Sequence, residues 1–99
     1  MAYRIQLAAT AARHLDHLTA RQQVVVLNAI KLQLQHEPFR ETRNRKRLRP
    51  NPLAPWELRV GTVRIFYEAD AETADVINVL AIGVKKGNRL LIEDKEIRL

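Results

Sequence analysis

Trp56-Glu57-Leu58-Arg59-Val60-Gly61-Thr62-Val63-Arg64-Ile65-Phe66-Tyr67-Glu68 is the stretch that decides the fold. On either side of Gly61-Thr62 the apolar residues alternate: Trp56, Leu58, Val60, then Val63, Ile65, Tyr67. A period of two is the mark of half-buried strands. Glycine at the first central position suits a type II′ turn, whose twist matches the strands that it joins. Such a turn sets the register: Val60 faces Val63, Leu58 faces Ile65, Trp56 faces Tyr67. These side chains make one apolar face for a core. On the other face Arg59 lies opposite Arg64, and like charges opposed across strands are destabilising. Two readings are level at this point. Either Glu57, Glu68 or solvent screens the pair, or the pair awaits a polyanion.

The 99 residues suffice for one compact domain over 1–99. There is no cysteine, which excludes disulfides and thiolate chemistry. No signal peptide is expected, since the alternating segment starts at Tyr3, and no apolar run reaches membrane-spanning length. A cytoplasmic protein with no membrane partner is expected. The formal net charge of +6 speaks for an acidic partner, nucleic acid first. Arg40, Arg43, Arg45, Lys46, Arg47 and Arg49 crowd one segment, opposed only by Glu41. A charge run is often a solvated loop. This one feeds into the strand bearing Arg59, so one continuous basic face is expected.

Tyr3 to Leu7 alternates as a first strand. Ala8 to Leu18 changes to helical spacing, with Ala11, Leu15 and Leu18 in step. His14 and His17, three apart on this helix, raise the thought of a metal. Two ligands with no third in register make a poor site, and surface residues are the expectation. No metal and no cofactor is expected. Thr19-Ala20-Arg21-Gln22 fits a capping box and opens a second helix to about Gln35. Its apolar stripe reads Gln23, Leu27, Ile30, Leu34, widened by Val25, Val26, Ala29 and Leu32. Asn28, Lys31 and Gln35 mark its wet side. Pro38 ends it. Residues 37–55 have no period, and such a long irregular stretch in a small domain is often functional. Arg47-Leu48-Arg49 is expected to pair briefly at a sheet edge. Asp70 to Asp75 is a polar turn, and Val76 to Val84 a central strand. Lys85-Lys86-Gly87-Asn88 closes that strand, Arg89 to Ile92 forms a last one, and Glu93 to Leu99 is a mixed-charge tail. The sum is an α+β fold: two N-terminal helices packed on a mainly antiparallel sheet, in the order β-α-α-β-β-β.

These residues together resemble the RelE/ParE superfamily of bacterial type II toxins over nearly the whole chain. The marks are Tyr-Arg-Ile at 3–5, helices ending near Glu37-Pro38, and the Leu-Arg-Val-Gly…Arg-Ile-Phe-Tyr-Glu hairpin, the most specific piece. Val-Leu-Ala-Ile-Gly-Val-Lys-Lys at 79–86 completes them. The resemblance implies this same fold and a cognate antitoxin as partner. It implies one of two activities: cleavage of messenger RNA on the ribosome, as RelE-type members do, or poisoning of DNA gyrase, as ParE-type members do. By the same resemblance Arg64 matches the arginine that binds the scissile phosphate. Arg59 matches one of two lysines on the preceding strand, and Lys85, ahead of Lys86, matches a second arginine. Glu57 falls on the other lysine and reverses its charge. Leu91 falls near the family's tyrosine and cannot transfer a proton.

Arg59 and Arg64 can stabilise phosphate charge bidentately. Arginine stays protonated and is a poor base. A lysine among Lys46, Lys85 and Lys86 becomes a base where neighbouring cations lower its pKa, and otherwise grips phosphate. Three readings are ranked in order. The first is a ribosome-dependent, metal-free endoribonuclease, with Arg64, Arg59 and Lys85 catalytic and Arg45, Lys46, Arg47, Arg49 and Lys86 binding RNA. The second is a gyrase-binding toxin, and the third a non-catalytic RNA-binding relative.

Overall fold

The hairpin forms in the register set by its turn. In the computed structural model, which describes residues 2–99, β3 (Trp56–Val60) pairs with β4 (Val63–Ala69). The partners are Val60 and Val63, Leu58 and Ile65, Trp56 and Tyr67, and Arg59 and Arg64. Gly61 takes φ +59° while Thr62 does not enter the positive region, as a type II′ turn requires.

Around this hairpin the chain runs β1 (Arg4–Leu7), α1 (Ala9–Asp16), α2 (Ala20–Leu34), β2 (Arg45–Arg47), β3, β4, β5 (Val76–Lys86), β6 (Arg89–Ile92) and β7 (Lys95–Ile97). The sheet order is β2-β3-β4-β5-β6-β7, with β1 also on β5. All pairings are antiparallel except β1 with β5. The expected α+β architecture is therefore present, with one strand more than expected at the C-terminal end. The mixed-charge tail folds back as β7, and Glu93-Asp94 makes its turn with φ 52° and 65°. Neither residue is the Asn-Gly that such a turn prefers, so the sequence carried little signal for it.

β5 changes partners along one edge. Its first half pairs with β1 (Arg4 with Val76 to Leu7 with Val79), and its last three residues pair with β6. Between the two, α1 supplies the missing hydrogen bonds. Thr10 Oγ1 donates to the Leu80 carbonyl at 2.9 Å, and the Ile82 amide donates to His14 Nδ1 at 3.2 Å. Buried backbone groups need partners, and Thr10 and His14, four apart on one helix face, provide them. His14 is thus buried (8% exposed) and structural, which corrects the expectation of a surface residue.

One core lies between helices and sheet: Ala11, Leu15, Val26, Ile30, Leu34, Trp56, Leu58, Val63, Ile65, Tyr67, Ile77, Val79 and Ile82. Thr19 caps α2 as expected, accepting from the Gln22 amide at 3.1 Å while Gln22 Oε1 accepts from the Thr19 amide at 3.0 Å. The buried stripe of α2 is Val26, Ile30 and Leu34. Leu27, Val25 and Leu32 are exposed, so the face is turned from the one that the apolar count suggested. Tyr67 anchors the loop after α2, its hydroxyl donating to the Pro38 carbonyl at 2.6 Å. A second, smaller core lies on the other side of the sheet, where Phe66, Ala81, Ala54, Leu90 and Ile92 meet.

Candidate nucleic-acid interface

Strand alternation puts Arg59 and Arg64 on the sheet face away from the helices, since their neighbours Leu58, Val60, Val63 and Ile65 face the core. Lys85 comes to the same face from β5, because Val84 pairs with core-facing Val63. Lys46 comes to it from β2, opposite Glu57. The result is four cations on one face, with Glu57 beside Lys46 and Arg59 and close enough to Arg64 to act on it. Glu57 is 7% exposed, and Arg59 Nε lies 3.2 Å from its Oε1. Of the screens considered for the arginine pair, Glu57 is the one in place. The guanidinium of Arg64 folds back on the turn and donates from Nη1 to the Gly61 carbonyl at 2.7 Å and the Val63 carbonyl at 3.1 Å. Burial lowers its pKa, Glu57 opposes that shift and Arg59 adds to it. It remains a cation at any physiological pH.

The wall beside Arg64 is set by Gly83, its partner on β5. A Cβ at Gly83 would stand 2.8 Å from the Leu91 carbonyl oxygen and 2.9 Å from Ile92 Cγ1 and Leu90 Cδ1. Only glycine lets β6 lie this close to the arginine row.

The structure divides the other sequence-predicted residues. Arg45 pairs with core-facing Leu58 and is buried under α2. Its guanidinium donates to the Gln33 carbonyl (2.8 Å), Gln33 Oε1 (3.2 Å) and the Arg40 carbonyl (3.2 Å). A cation on the last carbonyls of a helix is favourable. Arg47 pairs with Trp56 and so points to the helix side, 6.0 Å from the centroid of the indole ring. Arg49 is exposed beside a groove of about 750 Å3, lined also by Lys46, Arg47, Pro50 and Leu99. Lys86 faces the helix side, on a cavity of about 180 Å3 shared with His14, His17, Leu91 and Glu93. The continuous basic face is therefore not formed. Consecutive cations on β2 alternate sides, and only Lys46 joins Arg59, Arg64 and Lys85. Sequence reasoning counted Glu57 as one candidate screen and as a charge reversal, and missed its place as a buried acceptor between Lys46 and Arg59. The signal was its spacing of two from Arg59, which puts both on one strand face.

Leu91, near the position of the family tyrosine, pairs with Val84 and points to the helix side. Tyr67 is fully buried, and burial raises its hydroxyl pKa. No tyrosine hydroxyl reaches the basic face. His14 and His17 surround Glu93 at 3.4 and 3.7 Å, with Arg13 at 3.3 Å. Because His14 Nδ1 accepts from a backbone amide, its proton sits on Nε2, the atom facing Glu93, so that nitrogen is not a ligand. Among the described residues no three His, Cys, Asp or Glu side chains are grouped to hold a metal.

The two-helix layer on this sheet is the RelE-like toxin fold, in agreement with the resemblance read from the hairpin. A chain of the RelBE2 toxin-antitoxin complex from Mycobacterium tuberculosis superposes with a TM-score of 0.69 at 27% sequence identity, covering 86% of this chain and 100% of that one. No protein-family profile and no curated protein matches the chain. No helix among the described residues is long and apolar enough to cross a membrane.

Proposed function

We propose that the protein is the toxin of a toxin-antitoxin pair and a ribosome-dependent, metal-free endoribonuclease acting on messenger RNA in the cytoplasm. The observation that carries this reading is the set Lys46, Arg59, Arg64 and Lys85 on the sheet face without helices, with Glu57 between Lys46 and Arg59. The likeness to a toxin-antitoxin complex supports it. Cleavage without a metal needs three things: removal of the 2′-hydroxyl proton, stabilisation of the phosphate, and protonation of the leaving 5′-oxygen. Arg64 and Arg59 supply charge-assisted hydrogen bonds to the phosphate. Glu57 takes the proton, because it is the carboxylate beside Arg59 and Arg64 and accepts without first giving up a cationic charge; Arg59 donates to its Oε1. The 2′-oxygen then bonds to phosphorus, the bond to the 5′-oxygen breaks, and Lys85 protonates the leaving group. The products are a 2′,3′-cyclic phosphate and a 5′-hydroxyl. Lys46 and Arg49 grip flanking phosphates.

A second reading, a toxin that binds DNA gyrase, is favoured by one observation: Leu91 turns away from the basic face. Induction in bacteria followed by mapping of messenger RNA 5′ ends separates the two. New ends inside translated codons support the nuclease. DNA breaks with intact messages support the gyrase reading.

A further inference from the structure

Three hollows open around the segment that joins β2 to β3, and Arg47 lines each of them. The first is the groove of about 750 Å3 that begins at Lys46, on the basic face. The second, about 370 Å3, follows Pro50 to Pro55 and reaches Glu68. The third, about 340 Å3, is lined by Phe39, Arg47, Pro55, Trp56, Glu68 and Ala69. Shared walls join them into one trough. Its rim is stiff. Pro50, Pro52 and Pro55 restrict the backbone, and the Asn51 side chain ties the segment together. Asn51 Nδ2 donates to the Arg49 and Ala54 carbonyls, both at 2.8 Å. Its Oδ1 accepts from the Leu53 amide at 2.8 Å and the Ala54 amide at 3.1 Å.

The last hollow holds two opposite charges that do not meet. Neither Arg47 nor Glu68 enters an ion pair among the described residues. The Arg47 guanidinium lies instead 6.0 Å from the centroid of the Trp56 ring, a cation–π position. Glu68 stands on β4 opposite Asn78. Half-buried Phe39, Trp56 and Pro55 give the hollow an apolar floor. Along β4 it is about 13 Å from Arg64, at about 3.3 Å per residue.

We infer that this hollow binds one guanine base of single-stranded RNA, at a position flanking the cleaved bond, with Glu68 and Arg47 as specificity-determining residues. The inference rests on the RNA reading above. RNA is the fitting occupant because the trough starts at Lys46 and gathers Arg47 and Arg49, with Glu68 the only acidic side chain among the described residues in its walls. Bases of a single strand lie against aromatic rings and arginine planes and leave their edges free to be read. Guanine has two adjacent donors, N1–H and the N2 amino group, and two adjacent acceptors, O6 and N7. A carboxylate takes the first pair and a guanidinium the second. Adenine alternates donor and acceptor, cytosine offers one amino group, and uracil has one donor between two acceptors. An arginine and a glutamate kept apart in one hollow therefore select guanine. Strand parity turned Arg47 away from the phosphates of the open face, and here it reads a base.

The test measures binding of the full chain to a short uridine strand and to the same strand with one central guanosine. The guanosine is expected to tighten binding on the order of tenfold. Inosine in its place, which lacks only the N2 amino group, should lose most of that gain at an unchanged salt slope, since no phosphate contact changes. Glu68→Ala should bind the guanosine and inosine strands equally, and should bind the all-uridine strand at least as well as wild type does. The inference is overturned if guanosine brings no gain, if inosine or cytidine serves as well, or if the gain survives Glu68→Ala. The inosine comparison uses wild-type protein, so it decides the matter even where a variant loses stability. Failure to bind any of the strands overturns the RNA reading and this inference with it, whereas binding without preference for guanosine overturns this inference alone.

Discussion

The two faces of the sheet take cations from the same short sequence and use them oppositely. On the open face stand Lys46, Arg59, Arg64 and Lys85, with Glu57 between the first two. On the helix side Arg45, one residue from Lys46, is buried and spends its guanidinium on carbonyls of α2 and the following loop. Net charge alone does not tell a binding cation from a structural one. The parity of a residue along its strand does.

The largest expected effect breaks the open face. Arg64→Ala should abolish growth arrest on induction and leave the thermal midpoint nearly unchanged. Relief of the Arg59 repulsion is worth about 0.2–1 kcal/mol at most, and loss of the bonds to Gly61 and Val63 offsets part of it. A variant that still arrests growth removes Arg64 from the site, and one that melts much earlier makes it a structural residue.

Gly83→Ala should act through the fold. Its methyl meets a backbone oxygen at 2.8 Å, and overpacking of this kind costs about 1–3 kcal/mol. Urea denaturation would show it as a lower midpoint with an unchanged slope.

The comparison is sharpened by two neighbours on β2. Arg45→Gln removes the bonds to the part-buried Gln33 and Arg40 carbonyls and should lower stability by about 1 kcal/mol, with no change in the salt dependence of RNA binding. Lys46→Gln should do the reverse, reducing the salt slope by about one at unchanged stability. Equal behaviour of the two would show that parity is a poor guide here.

The smallest effect is in pH. Burial holds His14 below its ordinary pKa, Glu93 opposes this, and Arg13 and His17 reinforce it. The unfolded chain therefore binds the proton more readily than the folded one. Stability from this residue is complete above about pH 6.5 and is lost as pH falls through the folded value. Substituting His14→Gln, whose carbonyl oxygen can accept from the Ile82 amide, should flatten the thermal midpoint below neutrality relative to wild type.

The hairpin was legible to the residue because period, turn glycine and register are all local. The capping box of α2 was legible for the same reason. What failed depended on distant partners. The buried stripe of α2 was misplaced because seven of its residues are Val, Leu or Ile and only the sheet decides which are covered. His14 was misread because the need for it arises on β5, 68 residues away. β7 was missed because its turn, Glu93-Asp94, uses residues that local rules disfavour. Within the site, the Arg59–Arg64 pair followed from the hairpin. The basic run at 40–49 failed as a unit because β2 turns alternate residues to opposite sides.

The hydrogen bond from Ile82 to His14 makes one backbone amide a reporter on a helix. Most amides of a central strand are protected by their neighbours in the sheet and exchange with solvent only in larger openings. The Ile82 amide is protected by α1. Its exchange rate therefore measures how often α1 lifts off the sheet while the other strands stay paired. An isotope-exchange experiment on this single position would give the free energy of docking α1, separately from that of the whole domain.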